Sequence, residues 1–167
     1  MKKVCYLLLS AVLSLSACQK ATVKIQDYKV TIGMSDGTLY VTPMADDAIR
    51  VQYIPDGIEL PQLENLIYTE KQDEHACNFN QTGSKVTVSA HGNGLRAVVN
   101  TRTGKIIFKD AKGKVILKED VRSIEAGKTG DFNSLAVSQS FKTAPDEFLF
   151  GTGQFQDGYL NIRGLTR

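Results

Sequence analysis

Two histidines and three cysteines are the only imidazole and thiol groups among 167 residues. His75 and His91 lie far apart and no Cys/His ligand spacing surrounds them, so no metal site and no cofactor is expected. Nor is there a run of apolar residues approaching the roughly 20 needed to cross a bilayer as a helix. Past the N-terminal apolar stretch no window of helical period is long enough to make a helix, which excludes a helical bundle. Charge of one sign is nowhere concentrated. Lys105, Lys109, Lys112, Lys114 and Lys118 alternate with Asp110, Glu119 and Asp120, the pattern of a solvated hairpin surface and not of a nucleic-acid-binding face. No G-x-S-x-G nucleophile elbow occurs either.

What is present begins at the N-terminus. Met1-Lys2-Lys3 is a short positive segment, Val4 to Ala17 is apolar or small throughout, and Leu15-Ser16-Ala17-Cys18 sets small residues before a cysteine. This order of features is similar to a bacterial lipoprotein signal. It divides the chain into a signal peptide over 1–17, a short tether over 18–22 and a folded domain over 23–167. Cys18 then becomes the first residue and carries lipid on its sulfur. Each buried CH₂ of an acyl chain contributes about 0.8 kcal/mol, so more than one chain tethers the protein to a membrane without a spanning helix. The expected location is the bacterial cell envelope, on the periplasmic face or the cell surface. Loss of Lys2 and Lys3 with the signal lowers the net charge from +2 to about zero. Cys5 is removed and Cys18 acylated, which leaves Cys77 as a buried structural residue.

The body of the chain reads as strands. VKIQDYKVTI, GTLYVTP, AIRVQYIP, KVTVSAH, LRAVVNT, KIIFKD, KVILKE and LAVSQSFK recur at short intervals, several with apolar residues at every second position. Val86, Val88 and Ala90 form one apolar face, and Leu95, Ala97 and Val99 form the next. Between them His91-Gly92-Asn93-Gly94 supplies a tight turn, as Asp110-Ala111-Lys112-Gly113 does between KIIFKD and KVILKE. The pattern predicts an all-β fold, an antiparallel β-sandwich.

Several local motifs carry no chemistry. Gly92-Asn93-Gly94-Leu95-Arg96-Ala97 fits G-x-G-x-x-A by letter but opens a strand, where a dinucleotide site must open a helix. Gly127-Lys128-Thr129 lacks the leading glycine of a phosphate loop, since Arg122 stands in its place. The acidic pairs Asp46-Asp47, Asp73-Glu74 and Asp146-Glu147 have the composition of solvated loops. Asn80-Gln81-Thr82 is a sequon in a chain whose signal is bacterial, and reads as a loop.

Three stretches in order carry a resemblance: AIRVQYIPDG, LRAVVNTRTGKIIFKDAKGKVILKED and VSQSFKTAPDEFLFGTGQFQDGYLNIRGLTR. Phe108-Lys109-Asp110-Ala111-Lys112-Gly113 fits an aromatic-Asp-x-x-Gly turn, and Phe150-Gly151-Thr152-Gly153-Gln154 fits an aromatic-G-x-G-(E/Q) strand end. Together they resemble the N-terminal domain of glycoside hydrolase family 31, the α-glucosidases and α-xylosidases. The resemblance implies a galactose-mutarotase-like supersandwich that packs against a (β/α)₈ barrel carrying both catalytic aspartates of a retaining mechanism. It implies that this chain has no catalytic residue of its own, that its sandwich is incomplete at the C-terminal end, and that a barrel follows downstream. Leu160, Ile162 and Leu165 are then expected to lack part of their cover. It further implies a loop at the rim of the sugar pocket. Gln154, Gln156, Asp157 and Arg163 are the candidates for contact with an oligosaccharide or polysaccharide substrate, because amides, carboxylates and guanidinium groups make directional hydrogen bonds to hydroxyls. Phe155 or Tyr159 would stack on a ring. The competing expectation is a free-standing surface lipoprotein that binds carbohydrate without cleaving it.

Overall fold

The computed structural model describes residues 22–59, 77–90, 92, 94–151, 153 and 158–166. Ten strands run in chain order: β1 (Val23–Gln26), β2 (Lys29–Gly33), β3 (Gly37–Ala45), β4 (Ala48–Pro55), β5 (Asn78–Thr82), β6 (Lys85–Ser89), β7 (Arg96–Asn100), β8 (Ile106–Lys109), β9 (Val115–Thr129) and β10 (Phe132–Lys142). They make two antiparallel meanders, a four-stranded sheet ordered β1-β2-β3-β4 and a six-stranded sheet ordered β10-β9-β8-β7-β6-β5. The all-β sandwich is therefore as its alternation predicts. No helix among the described residues is long and apolar enough to cross a membrane.

The inner faces meet in one core. Val30, Ile32, Leu39 and Val41 from the smaller sheet pack on Val86, Val88, Ala97, Val99 and Ile106 from the larger one, all fully or almost fully buried. Register explains the match: Val86 lies opposite Val99 and Val88 opposite Ala97, so the two apolar faces read from the sequence become one. Each fully buried Val, Leu or Ile is worth about 1.5 to 3 kcal/mol over its exposed state.

Several details differ from the sequence expectation, among them Asn80-Gln81-Thr82, which is no loop but the end of β5, paired with Lys85–Thr87. VKIQDYKVTI is a hairpin and not one strand: Asp27 and Tyr28 both take positive φ, 50° and 56°, the turn that matches strand twist but normally asks for Gly or Asn. Cys77 is half-buried and not a core residue. Glu119, expected on a solvated surface, is 3% exposed. It faces the sandwich interior because Leu117, two residues before it on β9, lies opposite Phe108, a residue packed on the core. The β8–β9 turn is as expected. Asp110 Oδ1 accepts the N–H groups of Lys112 at 2.9 Å and Lys114 at 2.8 Å, and Gly113 supplies φ 84°. Gly127-Lys128-Thr129 lies in antiparallel pairing with Phe132–Ser134, so its amides are not arranged as an anion cradle.

Candidate functional site

The C-terminal segment after β10 folds back on itself, and the residues that hold the fold are side chains. Asn161 Oδ1 accepts the Leu149 N–H at 3.0 Å and the Arg163 N–H at 3.1 Å. The Ile162 N–H closes the same contact on the Leu149 carbonyl at 2.8 Å. Arg163 Nη1 donates to Thr143 Oγ1 at 3.1 Å and to the Glu147 carbonyl at 3.0 Å. Leu149 is thus held to Asn161 and Ile162 across the intervening segment. Gly151 and Gly153 enter this loop at φ 104° and 122°, conformations that side-chain-bearing residues rarely adopt.

Of the predicted rim residues, Gln154, Gln156 and Asp157 lie outside the described residues, as do Phe155 and the lipid-attachment residue Cys18. Arg163 is described, and it stands at the base of the loop, where its guanidinium ties Thr143 and the Glu147 backbone together. Tyr159 is exposed, as are Phe148 and Phe150, whose rings are 6.4 Å apart and within 13° of parallel. Of the three apolar residues expected to lack cover, Leu160 and Leu165 are exposed and Ile162 is half-buried. Asn161 was missed by sequence reasoning; the signal available was an Asx residue two before Arg163 in a glycine-rich segment.

Beside the loop base runs an open groove of about 560 Å³. It is lined by Lys114 and the start of β9, Val115 to Lys118, and by Lys142, Thr143, Ala144 and Glu147. Thr143 and Glu147 therefore serve both the groove and the Arg163 clamp. The lining brings together Lys114, Lys118 and Lys142, the apolar run Val115 to Leu117 and the carboxylate of Glu147. Among its described lining residues Glu147 is the one carboxylate, whereas a retaining glycosidase presents two carboxyl groups about 5 to 5.5 Å apart to one sugar.

A second, smaller cavity of about 130 Å³ opens between the sheets and is lined by Met34, Asp36, Tyr53, Thr103, Arg122 and Ile124. Its walls form a polar chain. The Tyr53 hydroxyl donates to Asp36 Oδ1. The Arg122 guanidinium lies over the Tyr53 ring at 4.7 Å and its Nη2 donates to the Gly104 carbonyl at 3.1 Å. Arg122 Nε sits 3.6 Å from Glu119 Oε1, which also accepts from Gln139 Nε2 at 3.1 Å, while Glu119 Oε2 accepts the Ile106 N–H at 2.9 Å. Asp36 thus accepts from Tyr53, and Glu119 from Ile106, Gln139 and Arg122, so both carboxylates are tied into the packing of the two sheets. Gly104 completes the fit: at φ 67° a Cβ would come within 2.8 Å of Arg122 Nη2. Among the described residues no group of three or more His, Cys, Asp or Glu is placed to hold a metal ion.

The Tyr53 phenol is pushed up to about 12, first by burial and then by its hydrogen bond to Asp36. The neutral phenol is the form the fold favours, so its contribution is fully present below pH 10 and is lost as pH rises through about 12. In chemical denaturation between pH 9 and 12, wild type should lose more stability than Tyr53→Phe, which has no proton to release. Parallel curves for the two proteins would contradict the assignment.

Residues 38–166 match the family model described as the glycosyl hydrolase 31 N-terminal galactose mutarotase-like domain. Two solved structures share the architecture. One is a GH31 α-xylosidase from Xanthomonas citri, 28% identical with a TM-score of 0.69 over 83% of this chain. The other is a GH31 α-xylosidase from a soil metagenome complexed with xylose, 18% identical with a TM-score of 0.68 over 86% of this chain. The matched region is 15% of the first structure's chain and 24% of the second's.

Proposed function

Because the chain belongs to the glycosyl hydrolase 31 N-terminal galactose mutarotase-like family, we propose that it is the front part of a lipid-anchored retaining α-glycosidase, an α-xylosidase or α-glucosidase acting on glycans. In this reading the sandwich supports a downstream (β/α)₈ barrel, and the loop between Leu149 and Asn161 reaches the rim of the sugar pocket. The observation that carries it is the family match over residues 38–166 together with the small share of the α-xylosidase chains that this domain covers. Gln154, Gln156 and Asp157 then bring amides and a carboxylate to sugar hydroxyls, and Arg163 holds the base of the loop in register with β10.

The chain's own residues supply binding surface and not chemistry. Glu119 and Asp36 are occupied by their donors, and Glu147 Oε2 accepts the Ala144 N–H at 3.0 Å. The purified 167-residue chain should therefore not hydrolyse aryl α-xylosides or α-glucosides. Turnover that stays with the chain and disappears on replacing one of its own carboxylates would overturn this reading.

Anchoring rests on Cys18 alone. Cys18→Ala should abolish labelling by a radioactive or alkyne-tagged fatty acid and move the protein from the membrane to the soluble fraction. Retained labelling in that variant would contradict the proposed attachment.

A further inference from the structure

In the sequence the lysines of the β8–β9 region alternate with acids; in the fold the two are separated. Asp110 turns its carboxylate to the backbone of its own turn, where it accepts from Lys112 and Lys114. Glu119 is buried with Arg122, Gln139 and the Ile106 N–H. Lys114, Lys118 and Lys142 are left together along the groove at the start of β9, all three exposed. Among the described residues their one ion pair is Lys142 with Asp120, at 3.4 Å and open to water on both sides. Exposed pairs of this kind contribute little. Glu147, the carboxylate of the described lining, accepts the Ala144 N–H.

Register makes this arrangement unfavourable. Lys118 stands directly opposite Lys142 in the antiparallel β9–β10 pair, so both side chains leave the same face, and like charges directly opposite one another destabilise a sheet. A bound anion removes that repulsion. Beside the lysines, Val115, Ile116 and Leu117 are exposed and line the same groove. Cations next to aliphatic CH groups fit a ligand that carries carboxylates on a body with apolar faces, as a uronic acid ring does. The groove volume of about 560 Å³ lies within the range of roughly 300 to 1,000 Å³ found for ligand sites.

We propose that this groove binds a uronate-bearing segment of an acidic glycan, with Lys114, Lys118 and Lys142 donating to sugar carboxylates. The proposal rests on the reading above that the protein acts on glycans. Placement favours a glycan over a lipid headgroup. The Thr22 carbonyl, close after Cys18, accepts the Gly33 N–H, and the neighbouring Met34 lies against Gly104 in the β7–β8 turn. The groove begins at the β8–β9 turn, at the other end of β8. In a chain tethered through Cys18, the groove is therefore at the end remote from the tether.

Calorimetric titration of the native gene product that carries this chain tests the proposal, with tetragalacturonate as the probe and neutral cellotetraose as the control, in about 0.01 M and about 0.15 M salt. Tetragalacturonate should bind, more weakly at the higher salt, and cellotetraose should not compete with it. The double substitution Lys118→Gln and Lys142→Gln should lower tetragalacturonate affinity about tenfold or more, while the melting temperature stays level or rises because the facing charges are gone. Unchanged affinity in that variant, or no binding by the folded wild type, would overturn the proposal. Equal affinity for tetraglutamate would show that the groove reads charge and not sugar, and capture on phosphatidylglycerol vesicles that is lost in the variant would assign it to a lipid headgroup; either result overturns the glycan assignment. Hydrolysis of aryl α-xylosides and α-glucosides by the same preparation reports on the glycosidase reading alone. Activity without lysine-dependent tetragalacturonate binding overturns only the groove assignment, and lysine-dependent binding without activity overturns only the glycosidase reading.

Discussion

Glu119→Ala should destabilise the sandwich by about 3 to 5 kcal/mol, the range for removing one partner of a buried charge pair. The side chain is 1% exposed and satisfies three donors at once: the Ile106 N–H, Gln139 Nε2 and the Arg122 guanidinium. Its removal leaves a buried backbone N–H unpaired and a guanidinium without its carboxylate. Glu119→Gln keeps the shape and one acceptor, so its cost should be smaller, about 1 to 3 kcal/mol. Urea denaturation monitored by circular dichroism separates the two. Equal and small effects from both would show that Glu119 is solvated and that the polar chain does not join the sheets.

Leu39→Ala should cost about 2 to 5 kcal/mol. Leu39 is fully buried on β3, between the partners Ile32 on β2 and Tyr53 on β4, and it packs in the cluster shared by both sheets. Typical domains have a margin of roughly 5 to 15 kcal/mol, so the loss is a large part of it. The β-branched residues around it hold stiff rotamers and cannot close the cavity by re-orienting. A drop under about 1 kcal/mol in the denaturation midpoint analysis would mean that the inner faces are not in contact.

How much of this was legible in the sequence depends on how local the cause is. The faces at Val86, Val88, Ala97 and Val99 were readable because burial on one side of a strand writes itself as alternation. The turn at Asp110 to Gly113 was readable for the same reason, since Asp at its start and Gly at its end are the residues that geometry asks for. Asp27-Tyr28 was not, because neither residue advertises positive φ. The second half of β9, from Arg122 to Thr129, was missed because one of its faces is polar and the other lies at the uncovered side, which blurs the period. Glu119 was misread because its partners come from Ile106, 13 residues away, and Gln139, 20 residues away. The clamp by Asn161 and Arg163 was not legible, since it depends on Thr143 and Glu147 being brought beside it by the end of β10.

Immunocapture from native cells with an antibody raised against the described sandwich, followed by assay on aryl α-xyloside and α-glucoside, measures directly whether this domain serves an α-glycosidase. If the domain is the front part of an α-glycosidase, the captured polypeptide will be much longer than 167 residues, carry acyl-labelled Cys18 and release the aryl alcohol with retention of anomeric configuration. Capture of a 167-residue species that binds glycan and releases nothing would contradict it.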